Sequence, residues 1–265
     1  MNILVCVKQV PDTTEIKINP ETNTLIREGV PSIVNTFDAF ALEMAARIKD
    51  KTGAKIVVIS MGPEQAKNAL KECLSVGADK AYLVSDRAFG GSDTLATGYI
   101  LSKAVKAVEA EEGPFDIIFC GKQAIDGDTA QTGPQLAEQL DYPQITCVTE
   151  ATVVEDKIHA WRETEYGKEL WETPAPAVVT ITKPAFEPRY PSIRSKMAAN
   201  KAVIPTLTIN EVDADAERSG LKGSPTKVKR VYVPVRHKNG VIITDESAAE
   251  SSKKLAGLLG GAGFF

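Results

Sequence analysis

The chain has 265 residues, with Lys+Arg 31 against Asp+Glu 35, a formal net charge of −4 and a hydrophobic content of 43%. That charge balance argues against nucleic-acid binding, which needs a basic face to release phosphate counterions, and the apolar content excludes a mainly disordered chain. The two histidines, His159 and His237, each stand alone among polar neighbours and leave almost no material for a histidine metal site or a Ser-His-Asp apparatus.

In chain order, Met1-Asn2 leads directly into the apolar run Ile3–Val7. This run is too short for a secretory leader or a membrane span, so a cytoplasmic protein is expected. The cysteines Cys6, Cys73, Cys120 and Cys147 are widely spread without a C-x-x-C pair, which points to reduced thiols. Apolar runs recur at Ile56–Ile59, Ala81–Val84, Ile117–Cys120 and Val178–Ile181, each the pattern of a strand buried on both faces of a parallel sheet. Thr14–Glu28, with Ile16, Ile18 and Leu25 around Asn19-Pro20, reads as a hairpin excursion.

Helical periodicity fills the intervals. A first helix follows Asn35-Thr36, with Phe37, Phe40, Ala41, Met44, Ala45 and Ile48 on one stripe, and stops near Gly53. A second follows Gly62-Pro63, a third starts at Ser92 or Asp93, and a fourth follows Asp128-Thr129 through Leu136 and Leu140. Beyond it, Val148–Val154, Lys157–Arg162 and Glu169–Glu172 read as antiparallel additions to the sheet. Residues 183–201 open on three prolines, carry Arg189, Arg194, Lys196 and Lys201, and read as broken chain. From Thr206 onward come a polar linker, an extended Val228–Val235, an amphipathic helix from Thr244-Asp245 to Leu259, and a flexible glycine-rich end. The expected fold is therefore α/β, a doubly wound, mostly parallel sheet of the adenine-nucleotide-binding, Rossmann-like kind. Residues 1–205 form its domain, and 206–265 form an extended C-terminal arm laid on a partner.

In such a sheet the ligand sits at the carboxyl ends of the strands, near the switch in strand order. The richest strand exit is Gly121–Pro134, whose glycines permit tight backbone, whose Thr129 and Thr132 offer hydroxyls, and after which a helix begins. Exposed amides at a helix start favour an anion, so an adenine nucleotide is one reading and an ordinary threonine-capped turn the other. Gly90–Thr94 repeats the device, although Asp93 there also suits a plain N-cap. There is no G-x-x-x-x-G-K-[ST], no G-x-G-x-x-G after the first strand and no calcium-loop spacing around Asp126 and Asp128, which argues against a P-loop NTPase, a standard Rossmann dinucleotide site and a calcium loop.

Gly121-Lys122-Gln123-Ala124-Ile125-Asp126, with Asp128 and Gln131-Thr132-Gly133, resembles the signature of the electron transfer flavoprotein beta-subunit family. Val7-Lys8, Asn35, Gly62-Pro63 and Glu187–Tyr190 support the likeness. The resemblance implies an obligate heterodimer with an alpha subunit onto which the C-terminal arm packs. It also implies a nucleotide site made of Cys6, Asn35, Thr36, Phe37, Asp38, Met61 and the stretch Cys120, Gly121, Lys122, Gln123, Ala124, Ile125, Asp126, Gly127, Asp128, Thr129, Gln131 and Thr132.

Some members hold AMP in that site. The electron-bifurcating members hold a second FAD, take hydride from NADH, and send electrons to ferredoxin or flavodoxin and to an acyl-CoA dehydrogenase. The AMP-type pattern lacks a Gly-Ser-Asp-Thr helix start, so Gly91, Ser92, Asp93, Thr94 and Thr97 imply FAD, with AMP as the alternative. The basic loop is similar to the family's docking loop, with Ile193 as the aliphatic anchor and Arg189, Arg194 and Lys196 around it. The expected role is an electron-carrier subunit that oxidises NADH only as part of the heterodimer, without a catalytic side chain or a metal. A universal-stress-type ATP-binding module is the alternative from another class.

Overall fold

The computed structural model describes residues 1–12, 31–155, 157–229 and 240–264. The hairpin expected at Thr14–Glu28, His237 and most of the extended piece expected at Val228–Val235 lie outside them. The described chain divides into two units, Met1–Lys229 and Arg230–Phe265.

In chain order the first unit comprises β1 (Asn2–Cys6), β2 (Gln9–Pro11), β3 (Ser32–Val34), α1 (Thr36–Thr52), β4 (Lys55–Met61), α2 (Lys67–Ser75), β5 (Lys80–Val84) and α3 (Thr94–Glu112). After these come β6 (Ile117–Gly121), α4 (Thr132–Leu140), β7 (Gln144–Val154), β8 (Lys157–Thr164), β9 (Gly167–Pro174), β10 (Ala177–Ile181), α5 (Ile193–Lys201) and β11 (Thr206–Leu207). β2 and β3 pair antiparallel in a sheet of their own. The other nine strands form one sheet in the order β11-β5-β4-β1-β6-β10-β7-β8-β9. The strands from β11 to β7 pair parallel, and only β7–β8 and β8–β9 pair antiparallel.

The five apolar runs form β1, β4, β5, β6 and β10, and their centres are buried because both faces of the sheet are covered. One face packs α1 and α2 through Phe40, Met44, Ile48 and Leu70. The other packs α3 and α4 through Tyr99, Ile100, Val105 and Leu136. From β1 the chain builds outward to β4 and β5, then returns to lay β6 on the opposite side of β1. The switch in strand order therefore falls between β1 and β6, where Cys6 and Cys120 are register partners. α1 stops where expected, at Gly53 in a left-handed conformation whose amide donates to the Lys49 carbonyl.

Three local expectations are corrected. The fourth helix starts at Thr132 rather than just after Asp128-Thr129, because Asp128 and Ala130 adopt positive φ and break the helical path. Residues 183–201 are irregular only through Pro191. With no proline beyond it and the Ser192 hydroxyl accepting from the Ser195 amide, α5 forms and packs against α2.

The chain from Thr206 to Lys229 belongs to the first unit, so the boundary expected at 205/206 falls inside it. β11 extends the sheet beside β5, and the Tyr99 hydroxyl accepts from the Asp215 amide at 2.9 Å. The second unit contains α6 (Ala248–Gly261), with the Ser247 hydroxyl accepting from the Glu250 amide; Leu255 and Leu258 are exposed. Among the described residues no helix is long and apolar enough to cross a membrane.

Candidate functional site

A cavity of about 650 Å³ opens at the carboxyl ends of the parallel strands, over the switch between β1 and β6. Its lining brings together Cys6, Asp38, Met61, Gly91–Thr94, Thr97, Cys120–Ala124, Gly127, Thr129, Gln131 and Thr132. Asn35, Thr36, Phe37, Ile125, Asp126 and Asp128 stand behind or beside this surface, outside the lining. Lys8, Asp86, Phe89 and Leu101 also line it, beyond the site residues that the family likeness implied. For Lys8 and Asp86, placement just beyond a strand end was the available signal.

The segment Asn35–Asp38 at the start of α1 holds two strand exits together. The buried Asn35 side chain donates to the Gln123 carbonyl at 2.8 Å and accepts from the Ile125 amide at 3.0 Å, while its own amide donates to the Lys8 carbonyl at 2.9 Å. Its side chain is thus committed to the 121–128 loop.

Asp38 accepts from the Lys8 amide at 2.7 Å through one oxygen and from the Gly121 amide at 3.1 Å through the other. Burial pushes its carboxyl up to about 7, against the pull of the Asn35 side chain, these two amides and the Lys8 charge. Position 121 must be glycine for this approach: a Cβ there would lie 2.3 Å from an Asp38 oxygen and 2.7 Å from the Phe37 carbonyl carbon.

The 121–131 loop is closed from both ends. Lys8 Nζ pairs with Asp126 at 2.6 Å, and Gln123 donates to the Asp128 carboxylate. Asp128 and Ala130, neither of them glycine, hold φ of 57° and 53°. Such strain costs on the order of 1 kcal/mol per residue and collects where a ligand is clamped. Behind it α4 begins without a side-chain cap: Gln131 has φ −111° and ψ −25°, unlike an extended capping residue, and its side chain makes no cap bond. Thr132 and Gly133 in that first turn line the cavity, their amides have no partner within the helix, and Pro134 has none to offer.

The start of α3 differs. The Asp93 carboxylate accepts from the Ala96 amide at 3.0 Å and, through its other oxygen, from the Thr226 amide at 3.0 Å. Burial works to raise this carboxyl, but the bonds from Ala96 and Thr226 hold it below the ordinary carboxylate range. The Ser92 hydroxyl donates to the Phe89 carbonyl at 2.8 Å and accepts from the Gly220 amide at 3.1 Å. Both side chains fasten a strap of residues 208–229 across the cavity lip. The Ser92 hydroxyl is thus engaged with backbone, whereas Thr94 lines the cavity with its hydroxyl donating to Gln131 Oε1 at 3.2 Å.

Away from the cavity, Ile193 is 83% exposed, and Arg194 and Lys196 lie beside it on α5. Arg189 is not part of an exposed rim. Its guanidinium pairs with the buried Glu43 at 2.8 Å and with Asp50 at 2.8 Å, anchoring the loop to α1. No group of three metal-ligating side chains occurs among the described residues.

The cavity thus offers helix-start amides and lysines at one end and the apolar walls of Met61, Phe89 and Leu101 elsewhere, a fit for a nucleotide carrying an aromatic ring system. Comparison with known proteins agrees with this geometry. The model of the electron transfer flavoprotein domain matches residues 22–212. The chain is 51% identical over 255 residues to the electron transfer flavoprotein subunit beta of Megasphaera elsdenii, covering 95% of this chain and 94% of that one. It is 53% identical over 245 residues to the subunit beta of Thermoanaerobacterium thermosaccharolyticum, covering 92% of each. It is also 44% identical over 260 residues to the caffeyl-CoA reductase-Etf complex subunit CarD of Acetobacterium woodii, covering 98% of each. These matches set aside the universal-stress alternative, and the chain belongs to the electron transfer flavoprotein beta-subunit family.

Proposed function

We propose that this chain is the beta subunit of a heterodimeric, electron-bifurcating electron transfer flavoprotein and that its cavity holds FAD. The reading rests on the reach of the cavity, which at about 650 Å³ runs from the uncapped start of α4, past Cys6 and Cys120, to the start of α3. That volume lies within the range of sites that enclose whole cofactors. FAD bound there would supply hydride acceptance from NADH and one-electron delivery, towards ferredoxin or flavodoxin and, through the alpha-subunit flavin, towards an acyl-CoA dehydrogenase.

The chain's own part is to bind and orient. The Thr132 and Gly133 amides receive phosphate oxygens at the positive end of α4, and Lys8, steadied by Asp126, adds a charge near them. Met61, Phe89 and Leu101 exclude water from an aromatic ring. The name of the Acetobacterium relative, a subunit of a caffeyl-CoA reductase complex, favours a CoA-linked partner. The exposed Ile193, with Arg194 and Lys196 beside it on α5, suits docking on an acidic, pocketed surface of such a partner. α6, with Leu255 and Leu258 exposed, suits packing on the alpha subunit.

A second reading, AMP in place of FAD, draws on Asp93: a carboxylate already capping α3 opposes a second phosphate site. Counting flavin and AMP extracted from the purified heterodimer decides between them. Two FAD and no AMP are expected, and one flavin with one AMP would overturn the first reading. For docking, Ile193→Ala should slow electron transfer to the dehydrogenase about tenfold with flavin content intact; an unchanged rate rejects that role.

A further inference from the structure

The segment Asn35–Asp38 sits where a ligand-binding segment was expected, yet the side chains of Asn35 and Asp38 bond backbone groups. Asp38 has two oxygens and two amide donors, one at the exit of β1 and one at the end of β6, the strands that flank the topological switch. Those amides, of Lys8 and Gly121, open the two segments that form the cavity floor. The distances are unequal, 2.7 Å to Lys8 and 3.1 Å to Gly121.

We propose that Asp38 is a positioning residue: as a carboxylate it ties both strand ends to α1, and on protonation it releases the Gly121 end and loosens the cavity floor.

A carboxylate offers a full acceptor at each oxygen. A carboxylic acid keeps one, because its hydroxyl oxygen accepts poorly. The weaker contact, to Gly121, is the one lost. The placement of the titration near neutrality follows from burial, which holds the group at about 7.

Of the ionisable groups around Asp38, the Lys8 ammonium acts on its charge and is itself paired with Asp126. The Cys73 thiol on α2 is pushed up by burial, and the Cys120 thiol on β6 by its hydrogen bond with Cys6 and by burial. Neither thiol ionises near neutral pH, so the switch belongs to Asp38. Asn35 holds Gln123 and Ile125 with neutral groups and keeps the far side of the loop fixed at either pH.

The test is hydrogen exchange in the purified complex, resolved to the amides of Lys8 and Gly121, between pH 6 and pH 8.5 and corrected for intrinsic rates. Protection of Gly121 should rise at least tenfold across that range, while that of the Val57 amide in the middle of β4 does not rise.

Asp38→Asn should remove the pH dependence and leave Gly121 weakly protected, because a carboxamide has one acceptor and turns an N–H towards the other donor. Global stability supplies a second, opposite signal. A carboxyl raised above its value of about 3.9 in an unfolded chain contributes most to stability in acid, and that contribution is lost as pH rises through about 7. Relative to Asp38→Asn, the wild type should therefore lose melting temperature as Gly121 gains protection, whereas a merely structural role moves both together.

A Gly121 protection profile that is flat in the wild type overturns the proposal, whether or not the variant folds. Retention of FAD over the same range depends on the cofactor reading above. A purified complex that contains no FAD would refute that reading, and exchange that still switches in it would leave the clamp standing.

Discussion

Two helices turn their first residues towards the cavity, and they do so in opposite states. α3 arrives finished: Asp93 caps it, and the same carboxylate, with Ser92 and Ser224, ties down the strap at Gly220–Thr226. α4 arrives open, preceded by two residues of positive φ and an Asn35-held loop, with no side chain on its first amides. A finished helix start stabilises the chain without a ligand. An open one leaves donors unsatisfied until an anion supplies the missing acceptor. The difference supports the proposed placing of the anion at the α4 side of the cavity and leaves the α3 side as its structural lip.

The largest blow to this contrast is Gly121→Ala, which drives a methyl group into Asp38 and the Phe37 backbone. Thermal or denaturant unfolding should show a loss of about 3 kcal/mol, with the nucleotide no longer retained. Next is Gln131→Glu, which places a negative charge at the open start. Nucleotide affinity, measured by titration of the apoprotein, should fall about tenfold while stability changes by less than about 0.5 kcal/mol.

The reverse pattern is expected at the finished start. Asp93→Ala should cost about 1 kcal/mol of stability and speed exchange in residues 220–226, with a smaller effect on affinity than the change at Gln131. A larger affinity loss at Asp93 than at Gln131 would invert the assignment. The smallest effect is in acid. Asp93 is held below its ordinary range, so its contribution is present above about pH 4 and is lost as pH falls through its lowered value. The stability gap between the wild type and Asp93→Asn, followed by melting temperature, should close there.

Much of this was legible before any coordinates. Five continuous apolar runs became the five central parallel strands because burial on both faces leaves no alternation to misread. The glycine-rich exit of β6 also came to the cavity as its spacing implied. The direction of polar side chains was harder to read. Asn35 and Arg189 are of residue types that bind ligands or partners, yet one is consumed by the Gln123 and Ile125 backbone and the other by Glu43 and Asp50. Such partners lie 88 to 146 residues away in the chain, beyond any local pattern. The strap was hidden for the same reason: its serines and glycines look like linker until Ser92 and Asp93 are seen to hold them.

One consequence follows from α1. Near its first turn it carries Asp38, which fixes the cavity floor. About one and a half turns further on it carries Glu43, and about two turns beyond that Asp50, which together seize Arg189 and so the approach to α5. α1 is therefore a ruler as well as a wall. Inserting a single residue between Asp38 and Glu43 would rotate one set of grips by about 100° and shift it by about 1.5 Å relative to the other. The cavity and the exposed Ile193 surface could not both keep their places. Substitutions on the solvent face of this helix leave that spacing intact, whereas a change in the count of residues between its two grips does not.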